Sequence, residues 1–199
     1  MAEFGLTGGI GSGKSAASAR LVARGAGLVD ADATVKRLQA AGMAVFSDMV
    51  AHFGDGIVGD DGELDRPAIA AIVFNDADEL KKLNDIVHPA VRKDMATQRE
   101  VLAASHDIII LDIPLLIEGE PIELAGIVVV DTPVDVAIER LVAHRGFTVE
   151  DASARMANQV GREERVAKAD FVIDNSGDLD ALEAEVDRCW HWMRNTQDL

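Results

Sequence analysis

The sequence predicts an α/β fold in which a parallel sheet of about five strands is flanked by helices. Short apolar runs of strand length alternate along the chain with helical patterns, and this alternation is typical of βαβ units. Two runs, residues 108–112 and 126–131, are nearly continuous in Ile, Leu and Val, as expected of strands covered on both faces. Three runs end on an acidic residue, which places charge where open α/β sheets bind their ligands.

A glycine-rich segment follows the first predicted strand, which is marked by Phe4 and Leu6. Residues 8–15, the phosphate loop, fit the pattern Gly-x-x-x-x-Gly-Lys-Ser, and residues 16–23 have a helical pattern. Such glycines let several backbone N–H groups point into one concavity at a helix N-terminus, where an anion is stabilised. We therefore predict a P-loop NTPase fold that binds a nucleoside triphosphate, with the Ser15 hydroxyl on Mg²⁺. The predicted triphosphate contacts are Gly8, Gly9, Ile10, Gly11, Ser12, Gly13, Lys14, Ser15 and Ala16.

The composition is typical of a compact enzyme and argues against several partners. The 199 residues are 48% hydrophobic and 27% charged, which excludes general disorder. The net charge of −16 would repel nucleic acid and anionic membranes, so we expect neither as a partner. No apolar run approaches the ~20 residues of a membrane span and no secretory pattern is present, so the expected location is the cytoplasm. The sequence makes no prediction of oligomeric state.

Residues 28–32 form the second predicted strand, which ends in Asp30-Ala31-Asp32. Alternate residues of a strand point to the same side, so both carboxylates are expected to face one pocket. Asp32 is the candidate general base, because a hydroxyl acceptor in phosphoryl transfer needs a carboxylate to orient it and take its proton. The alternative is that Asp32 only caps a helix that begins near Ala33. From this segment alone, the two interpretations are equally weighted.

A long stretch without a strand pattern separates the second and third predicted strands, and its length exceeds an ordinary connection. We interpret residues 36–104 as a helical acceptor-binding insertion. Its predicted helices cover residues 43–53, 66–74, 76–87 and 90–104, the last two being separated by Pro89. The predicted core comprises residues 1–35, 105–145 and 169–199, and a charged lid covers residues 146–168.

The third predicted strand, residues 108–112, ends on Asp112. A carboxylate at this place is suited to contact the metal shell through water, although Asp32 is an equal candidate for the metal. Pro114 ends regular strand pairing, so the following loop can line an acceptor pocket. For Leu115 and Leu116, acceptor lining and simple packing are equally weighted.

The fourth and fifth predicted strands, residues 126–131 and 171–173, flank an arginine-rich region. Thr132 is predicted to cap the intervening helix, with Pro133 in its first turn, and Thr148 is predicted to cap a later one. The arginines of this region are Arg140, Arg145, Arg155, Arg162 and Arg165. An arginine close to the transferred phosphoryl group accelerates transfer by about 10³–10⁵, whereas most arginines on a helix face are only solvated. Arg140 is the first choice because it lies off the apolar stripe of its helix, and Arg145 is a further candidate contact to the nucleotide.

In their order and spacing, these motifs resemble those of the dephospho-CoA kinase family over nearly the whole chain. The resemblance is carried by residues 6–15, 30–32, 62–66, 83–89, 112–118 and 169–177, together with Arg155 and Gln159.

The resemblance implies transfer of the ATP γ-phosphate to the ribose 3′-hydroxyl of dephospho-CoA, with Mg²⁺ as cofactor and a mobile lid. It implies that Asp32 is the general base, Lys14 the phosphate clamp and Arg140 a transition-state stabiliser. Asn175 would lie near the adenine. The residues that would line or support the acceptor site are Thr7, His88 and Leu115.

The chain departs from the family pattern at Lys36, Ala41, Ile117, Gly161 and Arg165. Arg165 stands where lysine is customary, and guanidinium and ammonium groups differ in geometry. Two rival hypotheses are another P-loop kinase, acting on a nucleotide or small alcohol, and a nucleotide-dependent switch. The switch is disfavoured because the sequence has no Asn-Lys-x-Asp motif for guanine recognition.

Overall fold

A five-stranded parallel sheet forms the centre of the fold in the computed structural model, which describes residues 1–119 and 121–197. The strands are β1 Ala2–Gly8, β2 Gly27–Asp30, β3 Ile108–Asp112, β4 Gly126–Asp131 and β5 Phe171–Asp174. They lie in the order β2-β3-β1-β4-β5, and all four pairings are parallel. The predicted α/β fold with a parallel sheet is confirmed. Residues 198 and 199, the end of the predicted core segment 169–199, lie outside the described residues.

Helices connect the strands and build the insertion. They are α1 Lys14–Ala23, α2 Ala31–Leu38, α3 Ala44–Phe53, α4 Arg66–Val73, α5 Ala77–Ala103, α6 Val134–Arg145, α7 Val149–Ala157, α8 Arg162–Ala167 and α9 Leu179–Gln197. Within the described residues, none of them is both long and apolar enough to cross a bilayer. The chain divides into two compact units: the first comprises Met1–Asp30 and the described chain from Val101 onwards, and the second is Ala31–Glu100. The finer division into core, insertion and lid stays a prediction.

The first unit is held together by apolar side chains of the sheet and of the helices that cover it. Phe4 and Leu6 of β1 are fully buried, as is Leu21 of α1. Helix α9 adds Val186 and Met193 to the same cluster. The phosphate loop is therefore held at both ends, because β1 before it and α1 after it are anchored in one core.

The second unit has its own apolar cluster, which includes Val45, Met49 and Val87. Its longest helix, α5, runs through Pro89 without interruption, so the predicted break at this residue is wrong. A proline inside a helix removes one hydrogen bond and costs about 3 kcal/mol. Val87 and Val91 on either side of Pro89 pack on the same cluster, and this shared burial offsets that cost.

The segment after β2 also differs from its prediction. Strand β2 ends at Asp30 and α2 begins at Ala31, so Asp32 lies in the first turn of a helix. Neither predicted geometry for Asp32 is correct, since it is neither at a strand end nor at an N-cap. A negative charge in the first turn interacts favourably with the helix dipole, so Asp32 is compatible with this earlier helix start.

The two predicted threonine caps have opposite outcomes. The Thr148 hydroxyl accepts a hydrogen bond of 3.1 Å from Asp151 N and caps α7 as predicted. Thr132 does not cap α6, whose N-cap is Pro133. The Thr132 side chain is buried, and its hydroxyl instead donates to backbone carbonyls, including that of Ser12 at 3.1 Å.

Candidate functional site

The phosphate loop has a backbone that requires glycine at two positions. Gly11 and Gly13 have φ angles of +80° and +83°, in the left-handed region. Gly13 is also the N-cap of α1. A Cβ atom at Gly13 would lie 2.1 Å from Asn175 Nδ2, so no side chain fits there. The loop thus ends at a helix N-terminus, the arrangement that binds phosphate through backbone amides.

Buried polar side chains hold the phosphate loop in place through hydrogen bonds. Asn175 Nδ2 donates a hydrogen bond of 2.7 Å to the Ser12 carbonyl, which also accepts from Thr132. Asn175 is 5% exposed, so its side chain is almost entirely enclosed. This contact fixes the backbone of the loop at Ser12, and the predicted proximity of Asn175 to adenine stays a prediction.

Lys14 and Asp112, predicted separately from the sequence, form an ion pair through Nζ and Oδ1. Lys14 is the first residue of α1 and Asp112 the last of β3. The parallel register pairs Asp112 with Leu6, two residues before the phosphate loop begins. Asp112 is only 3% exposed, so Lys14 neutralises a buried carboxylate directly beside the loop.

The residues predicted to contact Mg²⁺ have a suitable chemistry. Ser15 is exposed in the first turn of α1, next to Lys14, and Asp112 contributes a carboxylate at the neighbouring strand end. Hydroxyl and carboxylate oxygens are the hard ligands that Mg²⁺ prefers. Among the described residues there is no group of three or more His, Cys, Asp or Glu side chains able to hold a metal. These residues therefore fit a Mg²⁺ ion that keeps most of its coordination for phosphate and water.

Arg140 lies near the loop, but its hydrogen bonds go to main-chain carbonyls. Its Nη1 donates to Asn175 O at 2.8 Å and its Nη2 to Gly177 O at 3.1 Å. Nη1 is 4.0 Å from the position that a Cβ on Gly13 would take. Arg145 is exposed at the end of α6 and has no hydrogen bond or ion pair among the described residues. Arg140 thus has an anchoring role, while a role in transfer stays a prediction.

Two lid arginines contact different parts of the core. Arg162 forms a bidentate pair with Asp131 at 2.8 and 2.6 Å, and these hydrogen bonds raise the pKa of Arg162. Arg165 is only 8% exposed, and its Nη1 lies 2.9 Å from the position of a Cβ on Gly9. The sequence predicted an arginine-rich lid, but it did not single out Arg165 as the guanidinium beside Gly9.

Sequence reasoning also gave no site role to Gln159. Its Oε1 accepts a hydrogen bond of 3.0 Å from Ile10 N in the phosphate loop. The available signal was its place, with Arg155, among the residues that carry the family resemblance. A cavity of about 370 Å³ lies between the loop, α6 and the lid, and Gln159 and Arg165 contribute to its lining.

The predicted acceptor residues have different settings. Thr7 is buried in β1 and its hydroxyl donates 2.9 Å to Pro114 O, so it supports the loop after β3. Leu115 in that loop is 50% exposed, whereas Leu116 is buried. The simple packing interpretation therefore fits Leu116 and not Leu115. Asp32 and His88 belong to the second unit, where both are exposed, on α2 and α5.

Comparison with known proteins gives consistent matches over nearly the full length. The family model described as dephospho-CoA kinase matches residues 3–181. A dephospho-CoA kinase of Thermobifida fusca is 42% identical over 197 residues, covering 98% of this chain and 97% of that protein. A crystal structure of a Thermus thermophilus protein, 34% identical, has a TM-score of 0.82 and covers 96% of this chain and 97% of that one. Dephospho-CoA kinase from Campylobacter jejuni, 23% identical with a TM-score of 0.69 over 96% of each chain, shows the shared fold. The predicted P-loop NTPase fold is confirmed.

Proposed function

The chain belongs to the dephospho-CoA kinase family, and from this premise we propose how its own residues carry out the reaction. The protein is a kinase that phosphorylates dephospho-CoA with ATP to give CoA. The roles of individual residues, the metal ion and the cellular location form the proposal. The observation that carries it is the phosphate loop itself, whose glycine geometry ends at the N-terminus of α1 and places the Lys14 cation beside it.

On the donor side, the backbone N–H groups of the phosphate loop other than that of Ile10, which donates to Gln159, bind the β- and γ-phosphates of ATP. Lys14 exchanges its carboxylate partner for phosphate oxygens, because a triphosphate carries more charge than Asp112 alone. Asn175 and Thr132 hold the loop backbone through the Ser12 carbonyl, so the loop needs little rearrangement when the triphosphate binds. Arg140 and Arg145 contribute positive charge on the α6 side.

Mg²⁺ would be held by the Ser15 hydroxyl, with Asp112 contacting it through water. When bound, the ion neutralises charge that develops on the phosphate oxygens.

On the acceptor side, Asp32 orients the ribose 3′-hydroxyl and takes its proton. Asp30, at the end of β2, pairs in register with Asp112 at the end of β3. Asp32 follows Asp30 by two residues, and consecutive Cα atoms are about 3.8 Å apart, so the chain keeps it near this strand end. Its exposure leaves the carboxylate free to meet a substrate hydroxyl. Thr7, His88 and Leu115 support or line the acceptor site.

The cellular location and partners follow from the same reaction. We place the protein in the cytoplasm, where ATP is available, with ATP and dephospho-CoA as its small-molecule partners. The net charge of −16 supports the absence of nucleic-acid binding.

The 3′-hydroxyl assignment is tested with a matched pair of acceptors. The purified chain is incubated with ATP, Mg²⁺ and either dephospho-CoA or its 3′-deoxy analogue, and ADP release is followed. We expect ADP release above background only with the hydroxylated acceptor. Equal ADP release with both compounds would show that another group receives the phosphoryl unit.

A further inference from the structure

The turn between α7 and α8 is docked on the phosphate loop. In this lid turn, residues 158–161, Gln159 Oε1 accepts a hydrogen bond of 3.0 Å from Ile10 N. A backbone N–H can only donate, so the amide oxygen of Gln159 must face Ile10 and its Nε2 group must face away. The side chain is half-buried, which protects the contact from competing water.

Val160, the next residue, connects the lid turn to two further groups. Its N–H donates 3.1 Å to Glu118 Oε1, in the loop that follows β3. Its carbonyl accepts 2.5 Å from Arg165 Nη2. The lid turn is therefore the point where the phosphate loop, the loop after β3 and the Arg165 side chain meet.

The position of Arg165 depends on this turn. One of its guanidinium nitrogens bonds the turn at Val160, and the other lies 2.9 Å from the Cβ position of Gly9. A fixed cation beside the amides of the phosphate loop stabilises the charge of a transferring phosphoryl group, provided that it is held in place beforehand. Because the chain has a net charge of −16, the electrostatic field of the whole protein repels phosphate and cannot replace this local cation.

We propose that Gln159 is a positioning residue for phosphoryl transfer. It docks the lid turn on Ile10 and thereby sets the Arg165 guanidinium beside Gly9. Gln159 acts through Arg165 and the turn, and the inference rests on the proposed function of the phosphate loop.

A double-mutant cycle tests the action through Arg165. Gln159→Leu removes the acceptor at similar volume, and Arg165→Met removes the charge at similar length. We expect Gln159→Leu to lower kcat about tenfold, because this factor corresponds to the net free energy of one or two hydrogen bonds. The KM for ATP should change less than about threefold. The kcat of the double variant should lie no more than about twofold below that of Arg165→Met. Fully additive losses, or wild-type kcat in Gln159→Leu, would overturn the proposal.

A matched lid control is Glu164→Gln, an isosteric change at a residue that is exposed on α8. This variant should keep the wild-type kcat and KM. A loss equal to that of Gln159→Leu would show that any change in the lid slows transfer, and would contradict a specific role for Gln159.

Amide hydrogen exchange at Ile10 reports the contact without any substrate. The Ile10 amide should be protected in the wild type and in Gln159→Glu, which keeps an acceptor oxygen, and should exchange at least about tenfold faster in Gln159→Leu. Equal exchange in all three proteins would contradict the docking contact.

If the wild type does not phosphorylate dephospho-CoA, the proposed function fails. Normal wild-type transfer with unchanged Gln159→Leu kinetics contradicts this inference alone.

Discussion

Lys14 Nζ and Asp112 Oδ1 form an ion pair at the end of β3, so the lysine of the phosphate loop is already held by a buried carboxylate. The pair explains how a positive side chain stays beside a loop that must remain open for phosphate. It also makes Lys14 a structural residue, since its removal leaves Asp112 without this cation.

Lys14→Ala is expected to affect both activity and stability. Transfer should fall by at least about 10²-fold, because a donor to the transferring group is lost. Removing one partner of a buried pair costs about 3–5 kcal/mol, an upper value here because the Lys14 side chain is 17% exposed. ADP release and thermal melting measure the two effects. Lys14→Arg, which keeps the charge, should recover stability more than activity; wild-type turnover in Lys14→Ala would contradict the assignment.

Asp32→Asn is expected to lower kcat by about 10²–10⁴ with little change in ATP affinity, as for loss of a general base. Because Asp32 lies inside the first turn of α2, the change should have only a small effect on melting temperature. Single-turnover transfer and equilibrium ATP binding measure these quantities. Asp48→Asn, an exposed aspartate on α3, is the matched control. A kcat for Asp32→Asn equal to that of the control would rule out the base.

Gly13→Ala is expected to weaken ATP binding by at least about tenfold, because a methyl group there is strained by φ and overlaps Asn175 at 2.1 Å. Gly25 has a φ of +104° but open space around its Cβ position. Gly25→Ala therefore isolates the backbone strain, about 1–2 kcal/mol. Calorimetric titration with ATP should show near-normal binding in Gly25→Ala, and equal loss in both variants would contradict the steric argument.

Cys189 is expected to be chemically inert in the folded protein. Burial raises the pKa of its thiol from 9.0 to about 12, so the reactive thiolate is absent at neutral pH. A disulfide reagent should label the chain only after denaturation. Because the folded-state pKa is raised, this group's contribution to stability is complete below pH 9 and is lost as pH rises towards about 12. Rapid labelling of the native protein at pH 7 would show that the α9 core opens readily.

The parts of the fold that local patterns determine were predictable from the sequence. Continuous apolar runs located β3 and β4, and the spacing of glycines with Lys14 located the phosphate loop. The motif could not show that Lys14 and Asp112 pair, because that contact depends on the register of β1 and β3.

The errors arise where tertiary packing outweighs a local preference. Pro89 usually ends a helix, but burial on both sides keeps α5 continuous. Thr132 stands where a helix cap is expected, but its hydroxyl donates instead to the Ser12 carbonyl of the phosphate loop. The contact between Gln159 and Ile10 spans 149 positions, a separation at which no local pattern carries information.

The identity of the acceptor is the central claim, and a comparison of acceptors tests it most directly. ADP release by the wild type is measured with ATP and either dephospho-CoA, a nucleoside monophosphate or a shikimate-like alcohol, and kcat/KM is determined for each. The account predicts that dephospho-CoA is preferred by at least about 10³-fold, within the range that buried polar recognition provides. A higher kcat/KM for a nucleoside monophosphate or the alcohol would contradict it.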